Sequence, residues 1–271
     1  MNITDIEFKK VSFFVKEKTG VNLKENKKAL VVMRLSKRLG ILNFNNFETY
    51  YQYLLNDKDG NELHSFVYNI TTHYTFFLRE KEQFKLLKEV VLPTIVPTIK
   101  DGDLRVWSAA TSTGEEAYTL AMIIDEYFGF EKKYWNKELL ATDIAREVIL
   151  KAQLGIYDES ELKIVPKGWR VKYFTDIKNN KYQVKKDLRD EITFRSFNLL
   201  EPIFPFKKKF HIIFCRNVLI YFDSKTKFEV IEKLKDNLVV GGYLILGLSE
   251  AINYRENGLT YIQPSVYRKD K

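Results

Sequence analysis

The stretch LRVWSAATSTGEEAYTLAMIID, Leu104 to Asp125, decides how the rest of the chain is read. Leu104, Val106 and Trp107 form a β-type apolar run that gives way to small residues, then Gly114, then two carboxylates and a helical pattern. This predicts strand, tight turn, helix. Small residues from Ala109 to Gly114 let a ligand lie against the backbone at the carboxyl end of a parallel strand, where open α/β sheets bind their ligands. Glu115 and Glu116 fall in the first helical turn, where the dipole would otherwise attract a phosphate. Two such acids are also ordinary dipole complements. As ligand contacts they favour a cationic or hydroxyl-bearing molecule over a pyrophosphate, and S-adenosylmethionine has a sulfonium, an ammonium and ribose hydroxyls.

Downstream, ELLATDI (Glu138 to Ile144) reads as a second strand ending in Asp143. A carboxylate at that strand tip, about 30 residues beyond the turn, is where the ribose hydroxyls of a nucleoside cofactor are held. The helix Arg146 to Leu154 follows, with Gly155 as its C-cap. Tyr182 and Val184, then Ile192, Phe194 and Phe197, read as short exposed strands of an antiparallel insertion at about 172–197, with Asn179 and Asn180 as a turn. Asn198 and Leu199 stand at a third strand tip, where an Asn can bond an adenine amino edge. His211 to Cys215 is the next strand, bringing Asn217 and Tyr221 to the carboxyl edge of the sheet beside the opening turn. A helix from Lys225 to Leu238, ended by Gly241 and Gly242, precedes the strand YLILGLSE, and LTYIQPSVYRK closes as a hairpin or edge strand. The fold class is α/β, a mostly parallel sheet.

Residues 1–71 carry helical periodicity with almost no strand signal and read as a small all-α domain, joined by a linker (72–90) to the α/β domain (91–271). In KENKKALVVMRLSKRL, Lys24, Lys27, Lys28, Arg34 and Arg38 fall within an arc of about 120°, with Ala29, Val32 and Met33 opposite. Such an arc is a solvated face or a docking surface for an acidic helix or nucleic acid. In the linker, Arg79 of NITTHYTFFLREKEQ is suited to a bidentate hold on a carboxylate or to an interdomain salt bridge.

With 271 residues, 45% hydrophobic and 30% charged, the chain can bury a large core. No apolar run approaches the roughly 20 residues of a membrane span. The polar start MNITDIEFKK has no apolar h-region, so a cytoplasmic protein is expected. One cysteine, Cys215, forbids an internal disulfide and reads as an apolar filler; with only three histidines no metal cluster is expected. The net charge of +8, from 44 basic and 36 acidic residues, favours an acidic partner only mildly.

The motifs TTHYTFFLRE, RVWSAATSTGEEAY, ATDI with LGIY, FNLL, and IFCRNVLIYFD with GGYLILGLSE, in that order behind a helical basic domain, resemble the chemotaxis receptor methyltransferases, the CheR family. The resemblance covers nearly the whole chain. It implies a Rossmann-like class I methyltransferase with a seven-stranded sheet. It also implies transfer of a methyl group from S-adenosylmethionine to glutamate carboxylates on the cytoplasmic helical region of methyl-accepting chemotaxis receptors, without metal. Cofactor contacts are implied at His73, Thr75, Arg79, Glu116, Asp143, Asn198, Leu199, Arg216 and Asn217, and a place near methyl transfer at Arg79 and Tyr221. The cationic arc of Lys24, Lys27, Lys28, Arg34 and Arg38 is then expected to dock an acidic receptor helix. His73 departs from the Asn usual in the family; an imidazole there is bulkier and still donates one bond. The loop between Phe174 and Tyr182 is shorter than in members that grip a receptor C-terminal peptide, which implies independence of that tether. A monomer is expected, with no nucleic-acid partner and no membrane insertion.

A glutamate carboxylate is ionised at neutral pH, so attack on a sulfonium methyl needs no general base. Three other readings share these features. A dinucleotide oxidoreductase has the same strand, turn and acid, but a pyrophosphate wants several glycines and SAATSTGEE offers one Gly and two acids. A nucleic-acid methyltransferase needs an aromatic-flanked pocket for a flipped base, which CRNVLIYF does not supply. A degenerate domain that binds cofactor and serves only to dock or sense has the same sequence features.

Overall fold

A computed structural model describes residues 2–271. Four helices open the chain: α1 (Asp5–Thr19), α2 (Lys28–Ile41), α3 (Phe47–Leu55) and α4 (Asn61–Ile70). Thr4 and Glu7 make a reciprocal capping box that fixes where α1 begins. Gly20 ends it in the left-handed region at φ 76°. Phe8, Val15, Val31, Leu35, Tyr50 and Phe66 fill the centre of this bundle.

α2 corrects the expected arc. Lys24 to Lys27 precede the α-helix, the last three as a 3₁₀ turn. The residues of α2 that are buried are Val31, Leu35 and Leu39, while Met33, expected in the core, is 68% exposed. On a 100° wheel those three buried residues fall in or beside the same arc of about 120° as the cations. The basic side chains therefore flank the core contact instead of opposing it, and the outer face presents Ala29 and Met33.

The second part of the chain begins with α5 (Lys81–Leu86), which continues through a π-helical stretch into α6 (Leu92–Ile95). Then come β1 (Asp103–Ser108), α7 (Glu115–Phe128), β2 (Asn136–Asp143), α8 (Arg146–Leu154), β3 (Ile156–Asp158) and α9 (Lys167–Tyr173). β4 (Phe174–Asp176), β5 (Lys181–Val184), α10 (Lys186–Arg189), β6 (Ile192–Ser196) and β7 (Phe210–Cys215) follow. The chain ends with α11 (Ser224–Asp236), β8 (Leu238–Leu246), β9 (Thr260–Gln263) and β10 (Val266–Arg268). The main sheet has seven strands in the order β6-β2-β1-β7-β8-β10-β9. Its pairings are parallel from β6 to β8, and the closing hairpin is antiparallel. β1 pairs with β2 on one side and β7 on the other, so chain order reverses there and a crevice opens beyond the carboxyl ends of these strands. Apolar side chains cover both sheet faces: Leu104, Val106 and Phe214 on one, Trp107, Ile213 and Leu244 on the other.

Two strands sit differently from the sequence reading. β6, taken as part of the antiparallel insertion, pairs in parallel with β2 at the edge of the main sheet, with Ile192 and Phe194 buried and Thr193 and Arg195 exposed. An edge strand covered on one face alternates as a solvated antiparallel strand does, which is why it read so. The three-stranded antiparallel sheet is β3-β5-β4, and its first strand comes from Ile156–Asp158. α11 stops at Asp236, and β8 runs through both Gly241 and Gly242 with a register shift opposite Phe210 and Ile212. The glycine pair marks a strand irregularity where it read as a helix end.

Candidate active site

A cavity of about 450 Å³ opens at the carboxyl ends of β1, β2 and β7, with residues of the helical bundle among its walls. On the sheet side, β2 ends in Asp143, nine-tenths buried. Its Oδ2 accepts the Ser112 N–H at 2.9 Å and its Oδ1 the Ala145 N–H at 3.0 Å, so acceptor capacity remains for hydroxyl groups. Burial raises this carboxyl above the ordinary aspartate value, against the pull of the Ala145 N–H. Ser112 itself is held at φ 52°, and its Oγ donates to the His73 carbonyl at 2.9 Å, which fastens the linker over the turn.

Of the two acids opening α7, Glu116 lines the cavity and Glu115 does not. Glu116 accepts from Ser108 Oγ at 2.7 Å and from Arg216 Nη1 at 2.8 Å. Glu115 is buried elsewhere and takes the Thr113 hydroxyl, and burial raises its pKa. Arg216, just past β7, is almost wholly buried: Nη2 reaches the Arg79 carbonyl at 2.6 Å and Glu80 Oε2 at 3.0 Å, while Nε is left without a partner. A buried guanidinium with an unused donor beside Glu116 and Asp143 suits a zwitterionic nucleoside ligand, whose carboxylate, ammonium and hydroxyls need these charges.

His73, Thr75 and Arg79 of the linker line the same cavity, as do Leu199, Asn217 and Tyr221. The His73 ring stacks on Tyr68 at 5.0 Å, and its Nε2 lies 2.9 Å from the Tyr68 carbonyl. Arg79 donates to the Tyr74 carbonyl at 2.8 Å and lies 5.7 Å from the Tyr74 ring centre; among the described residues it has no carboxylate partner. Asn198 also lines the cavity, but both ends of its amide are engaged, Nδ2 on the Lys18 carbonyl at 2.9 Å and Oδ1 with the Leu200 N–H at 3.0 Å. It pins the end of α1 to the sheet. Lys16 pairs with Asp223 at 2.6 Å, and the Asn22 N–H bonds the Tyr221 carbonyl at 2.8 Å, so the bundle and the Tyr221 turn are joined.

The family model described as CheR methyltransferase, SAM binding domain, matches residues 73–267, and that described as CheR methyltransferase, all-alpha domain, matches 6–71. The chain is 38% identical to a chemotaxis protein methyltransferase of Borreliella burgdorferi over all of this chain and 96% of that protein. It is 33% identical to the chemotaxis protein methyltransferase of Escherichia coli, covering 99% and 92% of the two.

The chain belongs to the CheR methyltransferase family.

Among solved structures, the glycopeptide N-methyltransferase MtfA complexed with sinefungin is similar over 64% of this chain and 50% of its own, at 14% identity and a TM-score of 0.37, too slight a likeness to bear on chemistry. In this CheR-family chain the five cations expected to dock a partner have different surroundings. Lys27 and Arg34 line the cavity, whereas Lys24, Lys28 and Arg38 do not. Lys28 pairs with Asp5, and Arg38 pairs with the buried Glu62. Arg34 donates to the carbonyls of Ile70 and Thr71 and to Thr72 Oγ1, and among the described residues it too has no carboxylate partner.

Two carboxylates that hold residues of the cavity wall carried no signal of their own in the sequence. Glu80, at φ 58°, joins Arg216, the Asn217 amide and the Leu248 N–H. Glu250 is 0% exposed and takes backbone N–H groups from two segments. Both lie inside motifs quoted for the resemblance, yet nothing in their spacing says what they would hold.

Proposed function

We propose that this CheR-family protein transfers the methyl group of S-adenosylmethionine to glutamate side chains of methyl-accepting chemotaxis receptors, giving glutamate methyl esters and S-adenosylhomocysteine. The observation that carries the reading is one cavity with two kinds of wall: Asp143, Glu116 and Arg216 on the sheet side, and Lys27, Arg34 and Arg79, cations without a carboxylate partner among the described residues, on the bundle and linker side. The first suits a cationic nucleoside, the second an anionic acceptor. S-adenosylmethionine supplies an electrophilic methyl on a sulfonium when bound.

The acceptor carboxylate is ionised, so an oxygen lone pair forms the new C–O bond while the C–S electron pair goes to sulfur and no proton moves. The protein's part is to align the reactants and exclude water. Asp143 and Glu116 hold the nucleoside side, Arg79 and Tyr221 align the acceptor, and neither of the latter acts as a base. The working context is a cytoplasmic monomer that meets the helical region of a receptor, not nucleic acid and not the bilayer.

Transfer of radiolabelled methyl groups onto membranes carrying chemoreceptors tests the reading. The expected label is released by mild base, as an ester is. Binding of S-adenosylhomocysteine without any transfer would make the chain a docking or sensing module, and tighter binding of NAD than of S-adenosylhomocysteine would overturn the cofactor assignment.

A further inference from the structure

The turn after β7 brings Arg216, Asn217 and Tyr221 to the cavity, and a short 3₁₀ segment, Leu219–Tyr221, is its one regular part. Asn217 sits at φ 58°, a backbone region that costs a non-glycine residue energy. The turn is held from outside. Glu250, four residues beyond the end of β8, accepts the N–H groups of Asn217 and Gly247 on Oε2, both at 2.7 Å. Its Oε1 accepts those of Leu219 at 2.7 Å and Ile220 at 3.3 Å. One wholly buried carboxylate thus satisfies three donors of the turn and one of the β8 end, filling its four acceptor sites.

The packing around it leaves no slack. A Cβ on Gly247 would stand 2.7 Å from both Asn217 Nδ2 and Glu250 Oε2. On the other side, Asn217 Nδ2 also contacts Glu80 Oε1 at 3.3 Å. Asn217 is therefore gripped by its backbone from Glu250 and by its side chain from Glu80.

We propose that Glu250 is a positioning residue for methyl transfer: it touches neither reactant and sets the turn 216–221, and through it Arg216, Asn217 and Tyr221, at the cavity. The inference rests on the functional reading above. Glu250→Gln is nearly isosteric, but whichever way its amide turns, one pair of backbone N–H groups faces an NH₂ in place of an oxygen, so the turn must shift or lose two bonds.

The test compares wild type, Glu250→Gln and Gly247→Ala at a temperature where all three are fully folded. It measures hydrogen exchange, S-adenosylhomocysteine affinity by calorimetry, and methyl-transfer kinetics. Glu250→Gln is expected to lose protection locally at 217–220 and at 247, to weaken S-adenosylhomocysteine by at least about tenfold, and to lower kcat more than it raises acceptor KM. Gly247→Ala, which keeps the carboxylate but crowds both it and Asn217, is expected to give the same pattern. Wild-type affinity and kcat in a folded Glu250→Gln protein, or exchange raised evenly along the whole chain, would overturn the proposal. If wild type bound no S-adenosylhomocysteine, the functional reading would fall, and the exchange data would still decide whether Glu250 holds the turn.

Discussion

Arg216 Nη1 meets Glu116 Oε2 at 2.8 Å, which ties the tip of β7 to the first turn of α7 across the point where the sheet changes direction. The pair is buried and shares its guanidinium with Glu80, so one side chain serves two carboxylates.

Removing that side chain is expected to be costly. Arg216→Met leaves two carboxylates facing each other in a poorly solvated site and should lower stability by about 3–5 kcal/mol in urea unfolding. Glu116→Gln, which leaves Arg216 its Glu80 and carbonyl partners, should cost only about 1–2 kcal/mol. Equal losses would mean that the guanidinium does not serve both acids.

Asp143→Ala should weaken S-adenosylhomocysteine by ~1–3 kcal/mol, the order of a lost hydrogen bond to a charged group. Unchanged affinity by calorimetry would remove Asp143 from the ribose site.

The division among the cations predicts unequal effects of charge reversal. Lys27→Glu, at the cavity, should raise the apparent KM for receptor by up to about fivefold, more at low salt than at high. Lys24→Glu, outside it, should leave KM unchanged, and S-adenosylhomocysteine affinity should be the same in both. An equal rise for the two would restore a single docking arc.

His211 gives a pH dependence of stability that has nothing to do with catalysis. Burial pushes its imidazole from 6.5 down to about 4, and its Nδ1 accepts the Arg105 N–H at 3.1 Å. The unfolded chain therefore binds a proton that the folded one refuses. This contribution is complete above about pH 6.5 and is lost as pH falls towards 4. Thermal melts of wild type should slope downward over that window more steeply than those of His211→Gln, and parallel curves would exclude His211 as the source.

Tyr221→Phe should lower the methyl-transfer rate while leaving it nearly flat between about pH 6 and 8.5, as in wild type, because the acceptor is ionised throughout. A steep rise near pH 7 in wild type, absent from the variant, would reveal a base.

The parts of the fold written in local pattern were readable in advance. β1, the turn and α7, the tip at Asp143, α8 with its glycine cap, and β7 each carry periodicity and a terminator within a few residues. What escaped depends on contacts between distant segments. The inward face of α2 was hidden because its cations share an arc with Val31 and Leu35, and a charge pattern does not tell a solvated arginine from one that binds carbonyls, as Arg34 does. Glu250 meets the turn some 30 positions back through backbone groups, which leave no trace in residue type.

Gly20 adds a last point. A side chain there would strike Phe222 at 2.9 Å and Leu200 at 3.0 Å, beside the bonds from Asn22 to Tyr221 and from Asn198 to Lys18. The seam between helices and sheet is thus a fitted joint made of three short pieces: 16–22, 198–200 and 221–223. In a chimera that took its helices from another family member, those three pieces would have to travel together, or Tyr221 would lose its seat. The outer helical surface around Met33, by contrast, lies outside that joint and could be exchanged without unseating it.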